Sequence, residues 1–411
     1  MFPGARKYLF IALLALTLTS CQGQRIRSLV TGKVDTEANP IILWFEQEPM
    51  VDATTIITRP SGLIEVQDIK RFVRLYFPRN YEELREYDVI ILHSPEMFHL
   101  TREQDRWMHD AIVEGTGALA APAGLSDHED IQQAWINSQV YLALPNDLSA
   151  VLASGGRAGE RSFHLEVNRD FPEPILTTFI PLGIEEFLGR AAHRIIGKQG
   201  ASTIAWAVGD TVGRIPYMIT WDYAEGRGMT IGDSLQLTFW SDYASISNPG
   251  YETTQNPYGL DILMNMVLYL ADRNLPSDVL VVHNMRAQFI EYRIKISLLS
   301  SLADFAEKFG ADSSRMGALM SPIAEKFRQA QEKYLGQEFE TAGNLMNSVF
   351  EDISGAEKEV VKIKENVLFW VYVVEWSAVT STLMISGFVI WTVMVRRKLY
   401  RQVGTTQLER R

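Results

Sequence analysis

With 411 residues and 46% hydrophobic content, the chain can bury a sizeable core, and this excludes a disordered protein. The net charge of −11 is unevenly spread: Arg6 and Lys7 give the N-terminal segment +2, the tail after Val395 carries +5, and the stretch from Gln22 to Val395 is left with −18. So acidic a body repels a phosphate backbone, which argues against nucleic acid as a partner.

The opening "MFPGARKYLFIALLALTLTSC" joins a basic start to an apolar run of about a dozen residues and then small residues, which is the build of an export signal over residues 1–21. Cys21 follows Leu18, Thr19 and Ser20. That quartet resembles a bacterial lipobox, in which the cysteine is lipidated and becomes the mature N-terminus; ordinary signal cleavage nearby is the alternative. On either reading the folded body contains no thiol, because Cys21 is the only cysteine. Disulfides, thiolate nucleophiles and cysteine metal ligands are thereby excluded from it.

An α/β body is expected over 38–285. "IILWF" (41–45) reads as a buried strand, "EVQDIKRF" as a helix, "FVRLYF" as a strand end, "DVIIL" (88–92) as a central strand, "TREQDRWMHDAIVEG" as an amphipathic helix and "GALAA" as a further strand. Thr101 with Gln104 is a capping-box pair that sets the helix start. Strand-like pieces follow at "STIAWAV", "IPYMITWDY", "RGMTIG" and "LQLTFW", then a helix, "YGLDILMNMVLYLADR", and a last strand, "VLVVH". Apolar runs alternating with helices imply a doubly wound, mainly parallel sheet covered on both faces.

The region 286–367 reads as a helical stalk. Two amphipathic segments, 286–309 and 313–335, precede a seam at Phe339, Ala342, Met346, Val349, Ile353, Ala356, Val360, Ile363, Val367, Trp370 and Val374, spaced 3, 4, 3, 4 throughout. A bundle within one chain is the first reading, and pairing of two chains into a parallel homodimer the alternative. Over 376–395 twenty residues pass without a charge, enough at ~1.5 Å each to cross the ~30 Å hydrocarbon core. A transmembrane helix is therefore expected at 368–395, with Trp370, Tyr372 and Trp376 as an aromatic belt. Arg396, Arg397, Lys398 and Arg401 open the tail 396–411, which the positive-inside tendency places in the cytoplasm. The lipid bilayer is thus the first partner.

"YDVIILHSPEMFHLTREQDRWMHDAIVEGTGALAAPAG" resembles the core of the class I glutamine amidotransferase-like superfamily, in particular its extracytoplasmic, trehalose-utilisation-like branch. "YAEGRGMTIG" followed by a closing helix is similar to the late part of those domains. The resemblance covers about 41–272 and implies the flavodoxin-like fold. It implies a nucleophilic cysteine after the glycine-led strand, where this chain has Pro122, Ala123 or Gly124, and no His-x-Glu pair follows late in the domain. The family's glutaminase activity is therefore not carried over.

Of the seven histidines no two show helical ligand spacing, so no metal is assigned. Nor is a cofactor expected, since "GGRAGER" lacks the lysine and following helix of a P-loop. Ligand-binding candidates lie where the fold places its crevice: Glu46 after the first expected strand, His93 and Ser94 after the central one, and Ser126 and His128 in "SDHED". Each has a plainer role available, as a solvent-facing acid, a strand cap or a helix N-cap. Three functions stay open: a non-catalytic membrane-anchored domain that binds a small molecule, glycan or envelope protein, a hydrolase built on Glu, His and Asp, and a structural subunit of an envelope transport complex.

Overall fold

A computed structural model describes residues 25–34, 40–59, 65–121, 129–153, 159–211, 213–232, 256–308 and 313–408. Cys21, Ser126, His128, the strand expected at "LQLTFW" and the core of the "GGRAGER" loop lie outside the described residues. The chain divides into two compact units, Met1–Phe289 with Ala330–Gly343, and Ile290–Gln329 with Asn344–Arg411.

The first unit is built on a nine-stranded sheet. In chain order its elements are β1 (Ile26–Gly32), α1 (Pro40–Gln47), β2 (Val51–Ile57), α2 (Val66–Tyr76), α3 (Tyr81–Leu84), β3 (Val89–His93), α4 (Arg102–Val113), β4 (Gly117–Ala121), α5 (Glu129–Ile136), α6 (Leu148–Ala153), β5 (Gly159–Val167), β6 (Leu188–His193), β7 (Ser202–Gly209), β8 (Gly213–Tyr223), β9 (Gly226–Ile231) and α7 (Gly259–Leu270). The strand order is β2-β1-β3-β4-β9-β8-β7-β5-β6. The first five of these neighbours are parallel to one another, and β8, β7, β5 and β6 extend the sheet antiparallel.

Two-sided burial explains the parallel half. Every residue of "VIILH" and "GALAA" is buried, as continuous apolar or small runs require in a sheet covered on both faces. Leu29, Ile90, Leu92, Ala118 and Ala120 join Ile69, Val73, Met108, Ile112 and Trp135 in one apolar cluster beneath α2, α4 and α5. Gly117, of opposite parity to Ala118, faces the other way, and a Cβ there would lie 2.4 Å from the carbonyl of Leu270. The glycine lets α7 pack directly on the sheet. Helix α4 starts where its sequence directs, with Thr101 N donating to Gln104 Oε1 at 2.9 Å and Gln104 N to Thr101 Oγ1 at 3.1 Å.

Three segments differ from the sequence reading. "IILWF" belongs to helix α1 and not to a strand, because Pro40 presets the first helical turn and Ile41 and Phe45, four apart, share the buried face. "FVRLYF" continues α2 up to Tyr76. "VLVVH" opens the 30-residue helix α8 (Val279–Lys308), because Asp278 Oδ1 accepts from the backbone of Leu280 at 2.9 Å and Val281 at 3.2 Å and caps it. The strand beside β3 is instead "IRSLVTG", which lies before residue 38 and whose polar Ser28 and Thr31 are fully buried.

Helices α9 (Ser313–Leu335) and α10 (Phe339–Leu408) follow α8. Within the second unit, Met346, Val349, Ile353, Ala356 and Val360 of the seam are buried inside a single chain. Tyr292 stacks on Phe327 at 3.6 Å, and Lys326 Nζ lies 2.5 Å from Asp352 Oδ2. Farther along, Trp370 and Val374 are 60% and 64% exposed. They fall in Leu368–Tyr400, the one helical segment among the described residues long and apolar enough to cross a membrane, and none of its apolar window is buried.

Candidate functional site

In a sheet of this order β1 runs first to β2 on one side and then to β3 on the other, so the carboxyl ends of β1 and β3 flank a topological switch point, where open α/β sheets form their ligand crevice. The backbone there is tightly joined. Lys33 N donates to the His93 carbonyl at 2.8 Å, Thr58 N to Gly32 O at 3.0 Å, and Ser94 N to Ala121 O at 2.9 Å. His93 Nδ1 lies 3.0 Å from Lys33 O. A carbonyl only accepts, so Nδ1 carries the proton and Nε2 is the basic nitrogen of the neutral ring. Ser94 holds φ at 50°, uncommon for a residue with a side chain, and its hydroxyl donates to Ala121 O at 3.3 Å.

Beyond these residues the loop after β3 brings in groups that the sequence reading missed. Arg59 Nε is 3.6 Å from Glu96 Oε1, and Glu96 Oε2 is 3.5 Å from His99 Nε2. Glu96 and His99 are both only 7% exposed. Burial and the Lys70 charge push the His99 imidazole below its usual range. The nearby Glu96 carboxylate would act the other way, but Arg59 answers its charge and the burial prevails. Thr31 Oγ1, Thr58 Oγ1 and His99 Nδ1 are buried without a hydrogen-bond partner among the described residues. Such orphans at a sheet edge are groups that a water or a ligand satisfies. The segments after β1, β2 and β3 thus carry a carboxylate, a guanidinium, imidazoles and hydroxyls, groups that suit hydrogen bonding to a polar molecule.

Of the expected site residues, His93 and Ser94 lie at this edge and are buried. Glu46 does not. It is exposed near the end of α1, which leads to Met50, whose carbonyl accepts from Ile26 N at the start of β1. Once "IILWF" is a helix, Glu46 falls near the amino edge of the sheet. The missed pair was readable in principle: Glu96 and His99 stand three apart in "HSPEMFH", directly after a central strand. Among the described residues no three His, Cys, Asp or Glu side chains are grouped to hold a metal ion.

A second polar cluster lies at the amino edge. Glu48 Oε1 accepts from Met50 N at 3.0 Å, and its Oε2 accepts from Arg286 Nε at 2.5 Å and from the Tyr334 hydroxyl at 3.1 Å. Arg286 Nη1 also donates to Asp261 Oδ1, and Asp261 Oδ2 is 2.7 Å from His283 Nδ1. Burial works against the charge on Arg286, but Tyr334, Glu48 and Asp261 together hold its pKa above the ordinary guanidinium value. A third group is Lys198, whose ammonium donates to Tyr141 O at 2.6 Å and Leu142 O at 3.3 Å and faces the Trp221 ring at 5.2 Å; burial pushes it down to about 8. Its donors go to backbone carbonyls, so it fastens the turn after Val140.

No protein-family model matches the chain, and no curated protein matches it in sequence. Two cytoplasmic proteins from Salmonella typhimurium superpose on 60% of this chain and 99% of their own, with TM-scores of 0.43 and 0.42 at 13% and 15% identity. A cold-adapted β-galactosidase from Rahnella sp. R3 superposes on 62% of this chain and 32% of its own, with a TM-score of 0.33 at 10% identity.

Proposed function

We propose that this chain is a single-pass membrane protein whose α/β body, an amidotransferase-like domain without its nucleophile, binds a small polar ligand on the extracytoplasmic side and does not cleave it. The observation that carries the reading is the buried Glu96 beside Arg59 and His99 at the switch point, in a body whose sequence holds no cysteine after Cys21. The parallel order β2-β1-β3-β4-β9 supports a flavodoxin-like fold, with β9 in the fifth place. The basic start before Cys21 and the basic tail after Val395 support export of the body and a cytoplasmic C-terminus. A ligand with a hydroxyl or amine for Glu96 and an acceptor or acid for Arg59 matches the groups present.

The test uses full-length protein in detergent. Thermal shifts with amino acids, small carboxylates and sugars should reveal a stabilising ligand whose effect is lost in Glu96→Gln, with no glutamine hydrolysis. Glutamine turnover abolished by His93→Ala or Ser94→Ala would replace this reading with the hydrolase alternative. Protease added to intact cells should cut the body and spare the basic tail; the reverse pattern refutes the orientation.

A further inference from the structure

The amino-edge cluster takes no part in the proposed binding site, and its composition is unusual for a structural core. Glu48, Asp261, Arg286 and Tyr334 come from the turn before β2, from α7, from α8 and from the end of α9, and all lie in the first unit. The Glu48 side chain is 0% exposed, Asp261 2% and Arg286 5%, while His283 is 30% exposed. The only member that bulk protons reach readily is therefore the histidine.

Charge counting gives the cluster its behaviour. Two carboxylates, Glu48 and Asp261, face one permanent cation, Arg286, and the imidazole of His283. With His283 protonated the charges balance. With it neutral, one negative charge stays uncompensated where water cannot reach it, which is costly. The groups that face His283 are Asp261 from α7, Arg286 one turn further along α8, and the Tyr258 ring at the start of α7, 5.1 Å away. Glu48 and Tyr334 act on it only through Arg286.

We propose that the His283–Asp261 pair is a proton-controlled latch that fastens the first turns of α8 and the end of α9 to the α/β body, closed when the imidazole is charged and loosened when it is neutral. The hydrogen bond to Asp261 holds the His283 pKa above its ordinary value, against burial and Arg286. A raised folded pKa means that the stabilisation is full below the unfolded value of about 6.5 and is lost as pH rises through the folded value. The latch thus opens on the alkaline side. Past it the chain continues into the helices that lead to Leu368–Tyr400.

Backbone amide hydrogen exchange on the full-length protein in detergent tests this, corrected for intrinsic rates and compared at pH 6 and pH 9. Residues 279–289 and 330–343 should exchange several-fold faster at pH 9, while β3 and β4 do not change. His283→Gln, which keeps a donor but cannot be charged, should exchange equally at both pH values in these segments. Equal protection of the wild type at both pH values overturns the latch, as does a pH response that survives in His283→Gln. Should that variant fail to fold, hydrogen exchange at the His283 ring carbon of the wild type gives its titration midpoint directly. The midpoint should coincide with that of amide opening, and separate midpoints would overturn the proposal.

Discussion

The carbonyl oxygen of His93 occupies the space that a side chain on Gly32 would need: a Cβ there would lie 1.9 Å from it. Gly32 also holds φ at 125°, a conformation that side-chain-bearing residues avoid. The ends of β1 and β3 can close on each other only because this residue is bare. Gly32→Ala should therefore cost ~3 kcal/mol or more and lower the thermal midpoint of the body. Because the displaced strand end carries His93 and Ser94, ligand binding at the carboxyl edge should weaken as well.

Among the described residues Arg286 is the only permanent cation in the buried network with Glu48 and Asp261. Arg286→Met leaves Glu48 with only neutral donors and Asp261 with His283, and should cost ~3–5 kcal/mol. Arg286→Lys should recover only part of this, since an ammonium cannot reproduce the fork that reaches both partners. Tyr334→Phe removes one hydroxyl donor to Glu48 and should cost ~1–2 kcal/mol. Thermal or chemical denaturation of the three variants side by side checks the order.

His99 titrates in the opposite sense to His283. Burial holds its imidazole below the ordinary value, so its contribution to stability is present above the unfolded pKa of about 6.5 and is lost as pH falls toward the folded value. Wild-type protein should lose protection around the loop after β3 between pH 6.5 and 5. His99→Gln should flatten that acid limb without moving the alkaline response of residues 279–289. A wild type that is equally protected there at pH 5 and pH 7 contradicts the assignment.

Gly355 contrasts with Gly32. It lies inside α10, nothing among the described residues would meet a Cβ built on it, and it lines an open groove of about 710 Å³ with Ala318, Pro322 and Asp352. Gly355→Ala should stabilise the helical unit by ~0.5–1 kcal/mol through helix propensity alone. Destabilisation in the full-length protein would mean that something closely packed fills this groove in solution.

What the sequence disclosed follows from how local each signal is. "DVIIL" and "GALAA" were legible as buried strands because they are short apolar or small runs next to turn residues, and Thr101 with Gln104 marked a helix start to the residue. "IILWF" and "VLVVH" were misread for one reason: a five-residue apolar run has no period. The deciding features lay one residue outside each run, Pro40 before the first and Asp278 before the second. β1 escaped notice because Arg27, Ser28 and Thr31 break its apolar run, although the sheet buries both Ser28 and Thr31 completely. The Glu48–Arg286–Tyr334 contacts span 238 and 286 residues, and no spacing rule reaches that far. Asp261, the only charged residue in "GLDILMNMVLYL", was the one local hint that a buried cation would be found opposite it.

Helix α10 runs for 70 residues without interruption, about 105 Å at the usual rise. Among the described side chains Val360 is the last buried one of the seam, and the apolar stretch with no buried residue in its window begins at Leu368, with no proline or glycine between them. A single inserted residue between those points would turn every side chain of the apolar stretch by about 100° relative to the seam before it. The azimuth of the apolar stretch thus follows from residue count, and a length change there would be felt as a twist while composition and hydrophobicity stay the same.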